Sequence, residues 1–457
     1  MQSNSVNLTE GEPRRLIFNF TMPLLATNII HQLYGLIDML IVGRFLGVEA
    51  LAAMGASMSI MFLTICLIAG LTNGFTIVTG QYYGAGDFEK VKRSAATSVS
   101  LCGVISLIFG VLGAIFAQDI LLFMNTPPEI LAGATSFITV ISLGMPFSIA
   151  QMLGTAMIRA VGDSKGAMRI SVTSLIANCI FEPILIIGLG YGVGGAAMGI
   201  ILSHILGFLY SVYYIERHIP ELHAKRQHFT DVGELTLEHL RIGVPMAFQM
   251  SIIALGFFIV QIALNREGAA AVAGFAAAHR VDSVCLMPMM SFGIAISAFT
   301  AQNFGAGRKE RILDGVRKTL QMTLAFAVVM GVIIIAFGAE LVGIFVGNEP
   351  LVQAYGKEYL LVTGLSYWVL SVVFVCRNAF QGVGETLIPT ISSIVELVMR
   401  GVAAFGLAPI WGFLGICLSQ TLAWVGACLI IGISYYKLFV LDNFRNIKGR
   451  TAPALTK

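Results

Sequence analysis

The chain has 457 residues, 57% of them hydrophobic and only 12% charged, with a formal net charge of +3. A soluble globule carries about 25% charged residues, so soluble, disordered, collagenous and disulfide-scaffold classes are excluded, as is a charge-laced coiled coil. The mean hydropathy is +0.85 and the apolar runs are long and unbroken, which predicts an all-α polytopic membrane protein rather than an outer-membrane barrel.

In chain order, the polar stretch MQSNSVNLTEGEPRR is too long before its apolar run for a standard signal peptide, so the first span is expected to stay in the mature protein. A helix needs about 20 apolar residues to cross the hydrocarbon core. Twelve segments qualify: 16–42, 51–79, 94–117, 131–157, 168–188, 194–215, 242–264, 270–301, 319–345, 352–376, 387–408 and 412–436. Pro23, Pro146, Pro245 and Pro288 interrupt spans and predict kinks. GAGD at 84–87 and GAGR at 305–308 read as tight turns, because the Lys and Ser/Thr of a phosphate loop are missing. The longest connector, 216–241, separates two six-span lobes, 1–215 and 242–457, the second ending in a cytoplasmic tail. Its His218, His223 and His228 read as a solvated loop, not a metal site. The seven cysteines lie in or beside apolar runs without a CxxC pair and read as small buried residues.

Placing the N-terminus inside puts 23 of the 28 Lys and Arg in cytoplasmic segments, including Arg377 and the tail residues Lys437, Arg445, Lys448, Arg450 and Lys457. That asymmetry predicts cytoplasmic termini on a cell-membrane protein. The halves also repeat. Gln81, Gly84, Ala85 and Gly86 match Gln302, Gly305, Ala306 and Gly307; Pro23 matches Pro245; Val161 and Gly162 match Val383 and Gly384; Gly192 and Gly195 match Gly412 and Gly415. Six spans is an even number, so both copies share one topology, and two pseudo-symmetric bundles follow, as in one class of secondary transporter. There is no room for an ATPase domain and no GxxxxGK[ST], so uphill work must draw on an ion gradient.

An ionisable group inside a span costs about 3 kcal/mol or more and is a functional candidate by default. Asp38 lies six residues before Arg44, and Glu182 six before Gly188, each at the outer end of its span. At about 1.5 Å per residue both carboxylates sit at one depth, able to share a proton or Na⁺. Asn178, one turn before Glu182, shares its face, and Pro183 frees a carbonyl one turn earlier. The alternative is polar glue between helices. At an offset of 222, Asp38 maps to Val260, Glu182 to Ala404 and Asn178 to Arg400, so the second copy lacks the acids and carries a cation. Glu396 at i−4 from Arg400 predicts an ion pair. Arg280 and Asp282 are expected to pair with Glu396, Arg400 or Gln249 across helices, as a structural or gating network or as substrate contacts. Gln32 and Tyr34 are further candidates for substrate or gating contacts, with Met287, Met290 and Phe292 as apolar lining or ordinary packing.

These residues resemble the multidrug and toxic compound extrusion (MATE) transporters. The likeness covers nearly all of 16–436. It is carried by Pro23 fifteen residues before Asp38, GQYYGAGD (80–87), RAVGDSK (159–165), Asn178 with Glu182 and Pro183, Gly192 with Gly195, AQNFGAG (301–307) and QGVGET (381–386). The resemblance is to the branch with its cation site in the N-terminal lobe. It implies that Asp38, Asn178 and Glu182 bind H⁺ or Na⁺, that the first helix bends near Pro23, and that amphipathic, often cationic, compounds are exported. That branch usually has aspartate at 182 and often threonine at 200, where this chain has Glu182 and Ile200. Losing the hydroxyl removes a Na⁺ ligand. Gln249 stands where other branches carry an acid, which argues against a second cation site.

The expectation is therefore a twelve-helix, two-lobe antiporter, not an enzyme, with no cofactor beyond H⁺ or Na⁺. Its partners would be small organic substrates and membrane lipid, with no nucleic acid, and it would act as a monomer. A lipid-linked oligosaccharide flippase of the same superfamily is the alternative. It would want a cationic cavity, which Arg280 and Arg400 allow and the four intramembrane acids oppose. A membrane enzyme or receptor would need a metal, a nucleophile or a sensing domain.

Overall fold

A computed structural model describes residues 5–230, 233–347, 349–441 and 444, without the side chain of Glu234. Arg445, Lys448, Arg450 and Lys457, counted above toward a cytoplasmic tail, lie outside the described residues. Among the described residues the chain is helical without strands, and twelve helices are long and apolar enough to cross a membrane.

The first seven helices are α1 (Pro13–Phe45), α2 (Val48–Gly84), α3 (Phe88–Ile115), α4 (Ala117–Phe123), α5 (Pro128–Ala160), α6 (Ser164–Pro183) and α7 (Gly192–His218). The second set is α8 (Gly233–Leu264), α9 (Ala269–Gly305), α10 (Lys309–Ala336), α11 (Gly338–Val346), α12 (Pro350–Gly382), α13 (Leu387–Trp411) and α14 (Phe413–Tyr435). The repeat read from motifs is written in the helix lengths. α2 and α9 have 37 residues, α3 and α10 have 28, and α5 and α12 have 33, each of the last two opening on a proline. The short α4 and its counterpart α11 escaped the hydropathy reading, which merged α11 into a ninth span at 319–345. That span begins ten residues earlier, at Lys309, because a helix does not stop where the hydrocarbon does.

The chain divides into two compact units. The first holds residues up to Asn7 and Met22–Ala247; the second holds Leu8–Thr21 and Phe248 onward. In the first, α5 is central, packed against α2, α3, α6 and α7; in the second, α12 packs against α9, α10 and α14. Lipid gives helices no hydrophobic reason to associate, so close approach through small residues carries much of the packing. Gly110 of α3 lies on the Ser142 carbonyl of α5, where an added Cβ would sit 2.7 Å away, and Gly331 of α10 repeats this on the Gly364 carbonyl of α12 at 2.8 Å.

The repeated motifs are helix ends. Gly86 and Gly307 take φ of +74° and +71°, and Gly162 and Gly384 take +92° and +84°, the left-handed turns that L side chains avoid. In the second unit, Gln302 Oε1 accepts from the Leu8 N–H at 2.9 Å and Asn303 Nδ2 donates to the Leu8 carbonyl at 3.2 Å. The linker is not a solvated loop throughout. His228 is buried, accepts from the Lys225 N–H at 2.7 Å and meets Glu89 Oε1 at 3.1 Å. The cysteines also divide: Cys102, Cys285, Cys376 and Cys417 are buried, Cys66 and Cys428 half-buried, and Cys179 exposed.

Asp163 caps α6 by accepting from the Gly166 N–H at 2.8 Å, while its other oxygen accepts from the Tyr214 hydroxyl of α7 at 2.7 Å. Losing the cap together with the buried bond from the Tyr214 hydroxyl predicts a cost of about 2 kcal/mol for Asp163→Ala. A lowered midpoint in thermal unfolding of the detergent-solubilised protein is the expected readout, with Tyr214→Phe losing less.

Candidate functional site

In the first unit, α1 supplies Asp38 and α6 supplies Asn178 and Glu182. The Asp38 and Glu182 carboxyls face each other, with Asn178 beside Glu182. Asn178 and Glu182 have no exposed surface and Asp38 retains 7%. While both are ionised, two facing carboxylates offer only acceptors, and neither can donate to the other. Among the described residues, nine buried side-chain polar atoms lack a partner. Five belong to this trio: Asp38 Oδ1, both Glu182 oxygens, and both Asn178 amide atoms. Native proteins satisfy nearly all such groups, so each exception calls for an explanation.

Two backbone features set the trio. Pro183 has no N–H to offer the Cys179 carbonyl, and the chain continues past it as a π-helical turn, Ile184–Gly188. Gly199 of α7 lies against Glu182, where an added Cβ would stand 2.8 Å from its Cα, so the absent side chain lets α7 close over the acid. One turn beyond each acid, toward the Arg44 end of α1, Val42 and Ile186 join a buried apolar cluster with Ala196, Ala197 and Phe137. Ile200 packs against this cluster instead of supplying a ligand.

Tyr34 shares the face of Asp38 one turn earlier and pairs with Ser203 Oγ at 2.9 Å. Its ring stacks on His204, 6.3 Å between centroids, and His204 Nδ1 meets Ser148 Oγ at 2.7 Å. Gln151 Nε2 donates to Ser174 Oγ at 2.6 Å. Ser203, Ser148, Gln151 and Ser174 escaped the sequence reading, since hydroxyls and amides are common inside spans. Gln32 is exposed on α1, and Pro23 is buried inside that helix, its carbonyl accepting from Thr27 Oγ1 at 2.9 Å.

The second unit sorts the other candidates differently from expectation. Asp282 does not pair with Glu396, Arg400 or Gln249. It accepts from the hydroxyls of Tyr359 at 3.3 Å and Tyr367 at 2.5 Å, both on α12, which were not foreseen. Arg280 is exposed and takes no part in the expected network. Glu396 does bind Arg400, at 2.8 Å, but its second oxygen binds Arg377 at the same distance. Arg377 is not the loop residue it was counted as: α12 runs six residues past the expected end of the span, and Arg377 is buried in it. Gln249 is buried and accepts from Gln381 Nε2 at 2.9 Å.

With this geometry in hand, the MatE family model matches the chain over residues 23–184 and again over 245–405. The chain belongs to the MATE family. The two matches begin 222 residues apart, within two residues of the interval at which each motif recurs. The probable multidrug resistance protein YoeA of Bacillus subtilis (strain 168) is 29% identical over 83% of either chain. The probable multidrug resistance protein NorM of Thermotoga maritima is 27% identical over 98% of this chain and 95% of its own. The fold is shared with a MATE transporter of the MOP superfamily solved in an outward-facing conformation, at TM-score 0.90 and 21% identity, over 96% of this chain and 99% of that one. This MATE chain is a multi-pass membrane transporter.

Two variants test the geometry. Gly199→Ala forces α6 and α7 apart at Glu182, and a cost of about 2 kcal/mol is expected from the overpacking, read as a lower unfolding midpoint. Glu396→Gln leaves two buried guanidinium groups without a counter-charge and is expected to cost about 3 kcal/mol. An unchanged midpoint for Glu396→Gln would mean that water reaches the arginines.

Proposed function

We propose that this transporter is a cation-coupled antiporter that exports amphipathic or cationic organic compounds across the cell membrane, with H⁺ or Na⁺ bound at Asp38, Asn178 and Glu182. The observation that carries the reading is the trio's five unpartnered polar atoms. Two buried carboxylates repel one another, and a proton or Na⁺ between them relieves the repulsion. Asn178 offers a neutral oxygen to the same ion. Glu182 reaches one methylene further than aspartate would, and Ile200 brings no hydroxyl, so a shared proton asks less of the site than a full Na⁺ shell.

Exchange follows from competition. An organic cation and the coupling ion are attracted to the same two negative charges, so each weakens the other's hold. Coupling further requires that the two ligands prefer different conformations, since a ligand indifferent to conformation shifts nothing. Tyr34, one turn from Asp38 and fixed by Ser203, offers an aromatic face to an organic cation. The substrate class rests on the relatives' names, YoeA and NorM both being called probable multidrug resistance proteins. The inside-positive bias of Lys and Arg supports cytoplasmic termini. On this reading the protein acts as a monomer in lipid, with two six-helix lobes, 1–215 and 242–457, and the linker 216–241 between them.

Transport of ethidium by purified protein in liposomes, driven separately by a pH gradient and by a Na⁺ gradient, is the test. Wild type is expected to respond to the pH gradient. Asp38→Asn and Glu182→Gln are each expected to lose about tenfold or more of that flux, and Asn178→Ala less. Unchanged flux in Asp38→Asn would reject the coupling site, and a response to Na⁺ alone would reject proton coupling.

A further inference from the structure

The second unit carries a site of opposite polarity. Glu396 holds two arginines, giving one oxygen to Arg377 Nη2 and the other to Arg400 Nη2. All three side chains are buried, with 7%, 6% and 2% of Arg377, Glu396 and Arg400 exposed. Two guanidinium groups against one carboxylate leave one positive charge uncompensated. Arg400 is the fourteenth of the 25 residues of α13, about midway along its span.

The unpartnered atoms of this cluster are Arg377 Nε, Arg400 Nε and Gln249 Nε2. All three are donors. Gln249 spends its acceptor on Gln381, leaving its amide N–H groups unused. The three donors also fall at neighbouring depths. Gln249 on α8 meets Gln381 on α12, and these helices, the seventh and tenth spans, run in opposite directions. From that contact, Arg377 lies one turn back along α12 and Gly256 two turns on along α8. Gly256 has no side chain where the Arg400 guanidinium presses against it. Arg377 therefore sits between the levels of Gln249 and Arg400. The Phe257 ring lies 5.8 Å from the Arg400 guanidinium carbon, which offsets part of the charge but supplies no acceptor for its Nε.

The repeat gives this cluster no counterpart in the first unit. At the interval of 222, Gln249, Gly256, Arg377, Glu396 and Arg400 correspond to Thr27, Tyr34, Thr155, Ser174 and Asn178. Every position that is charged in the second copy is neutral in the first. The first unit leaves carboxylate oxygens open beside a single amide; the second leaves only donors open at this cluster.

We propose that Arg377, Arg400 and Gln249 form an anion-accepting site in the second unit, which takes a carboxylate or phosphate group borne by a transported amphiphile. One negative charge restores neutrality, and its oxygens are the acceptors the three donors lack. This site does not depend on ion coupling at Asp38.

The test uses two dyes with one fluorophore and opposite charge, dansylglycine and monodansylcadaverine, titrated against the full chain in phosphatidylcholine nanodiscs. Dansylglycine is expected to bind saturably, and Arg400→Gln, which leaves a balanced Arg377–Glu396 pair, to weaken it about tenfold or more. Gln249→Leu carries the same expectation without altering charge, and serves if Arg400→Gln is not monodisperse. Monodansylcadaverine binding is expected to be the same in these variants as in wild type. Asp38→Asn, assayed alongside, should leave dansylglycine binding intact, so failure of the coupling reading is distinguishable from failure here. No saturable dansylglycine binding by wild type, or binding by both variants within about twofold of it, overturns the proposal. Nanodiscs half of phosphatidylglycerol should leave the affinity unchanged; displacement by that lipid would assign the donors to headgroups and overturn the substrate role.

Discussion

Ionised groups in hydrocarbon must be compensated, and that constraint organises the interior of this transporter. Asp282 is compensated by two tyrosine hydroxyls. Glu396 is overcompensated by two arginines. Asp38 and Glu182 have only each other and Asn178, which supplies no charge. Three acidic environments thus arise from similar apolar helices, and they differ by what the neighbouring helix presents. A carboxylate with two phenols has its lone pairs served and holds helices together. A carboxylate facing another carboxylate is stable only with something positive in between. The first is a fastener and the second, on the proposed coupling reading, is a binding site, and the distinction is invisible in residue type alone.

The duplicated fold makes the contrast sharper. α5 and α12 have equal lengths and occupy matching places in the packing of their units. The glycine contacts at Gly110 and Gly331 recur nearly atom for atom. At this crossing both copies carry glycine while polar positions elsewhere differ, because a Cβ at a close backbone crossing costs packing over a whole helix pair. A polar substitution elsewhere changes only local compensation. Tyr34 and Gly256 occupy the same register, and so do Asn178 and Arg400. The removal of a ring in one copy accompanies the arrival of a guanidinium that presses into the vacated space.

Much of this was legible in the sequence. Twelve spans follow from runs of apolar residues, since lipid demands them, and the repeat follows from motifs that mark helix ends. The helix faces of Asp38 and of Asn178 with Glu182 follow from spacing, and their burial from the apolar runs around them. The errors came where a span boundary was drawn at the first charge. An apolar run ends just before Arg377 and marks it as a loop residue, yet the helix continues to Gly382. Once Arg377 is misplaced, Glu396 looks like half of a simple pair. The partners of Asp282 were missed because phenols two turns apart on a helix look like ordinary packing. Their signal was available: an acid in a span needs donors, and Tyr359 and Tyr367 lie on one face of α12. α4 and α11 are too short to register as spans, and nothing in hydropathy separates them from their neighbours.

Gly199 shows where a sequence reading stops. No chemistry attaches to a glycine, and its neighbour Ile200 drew attention only as an absent hydroxyl. The distance between two helices decides whether a buried carboxylate sits in a cavity with water or in a sleeve that excludes it. By letting α7 approach the backbone of Glu182, Gly199 keeps the acid in a close-packed setting with no exposed surface, where its charge is poorly screened from Asp38. The carboxylates then interact through a poorly polarisable medium, and the gain from adding one small cation rises accordingly. On the proposed coupling reading, the ion favoured at this site is one that needs no room. A proton, shared between two oxygens, occupies none, whereas Na⁺ needs several ligands at full length, and the apolar cluster containing Val42 and Ile186 provides none of them.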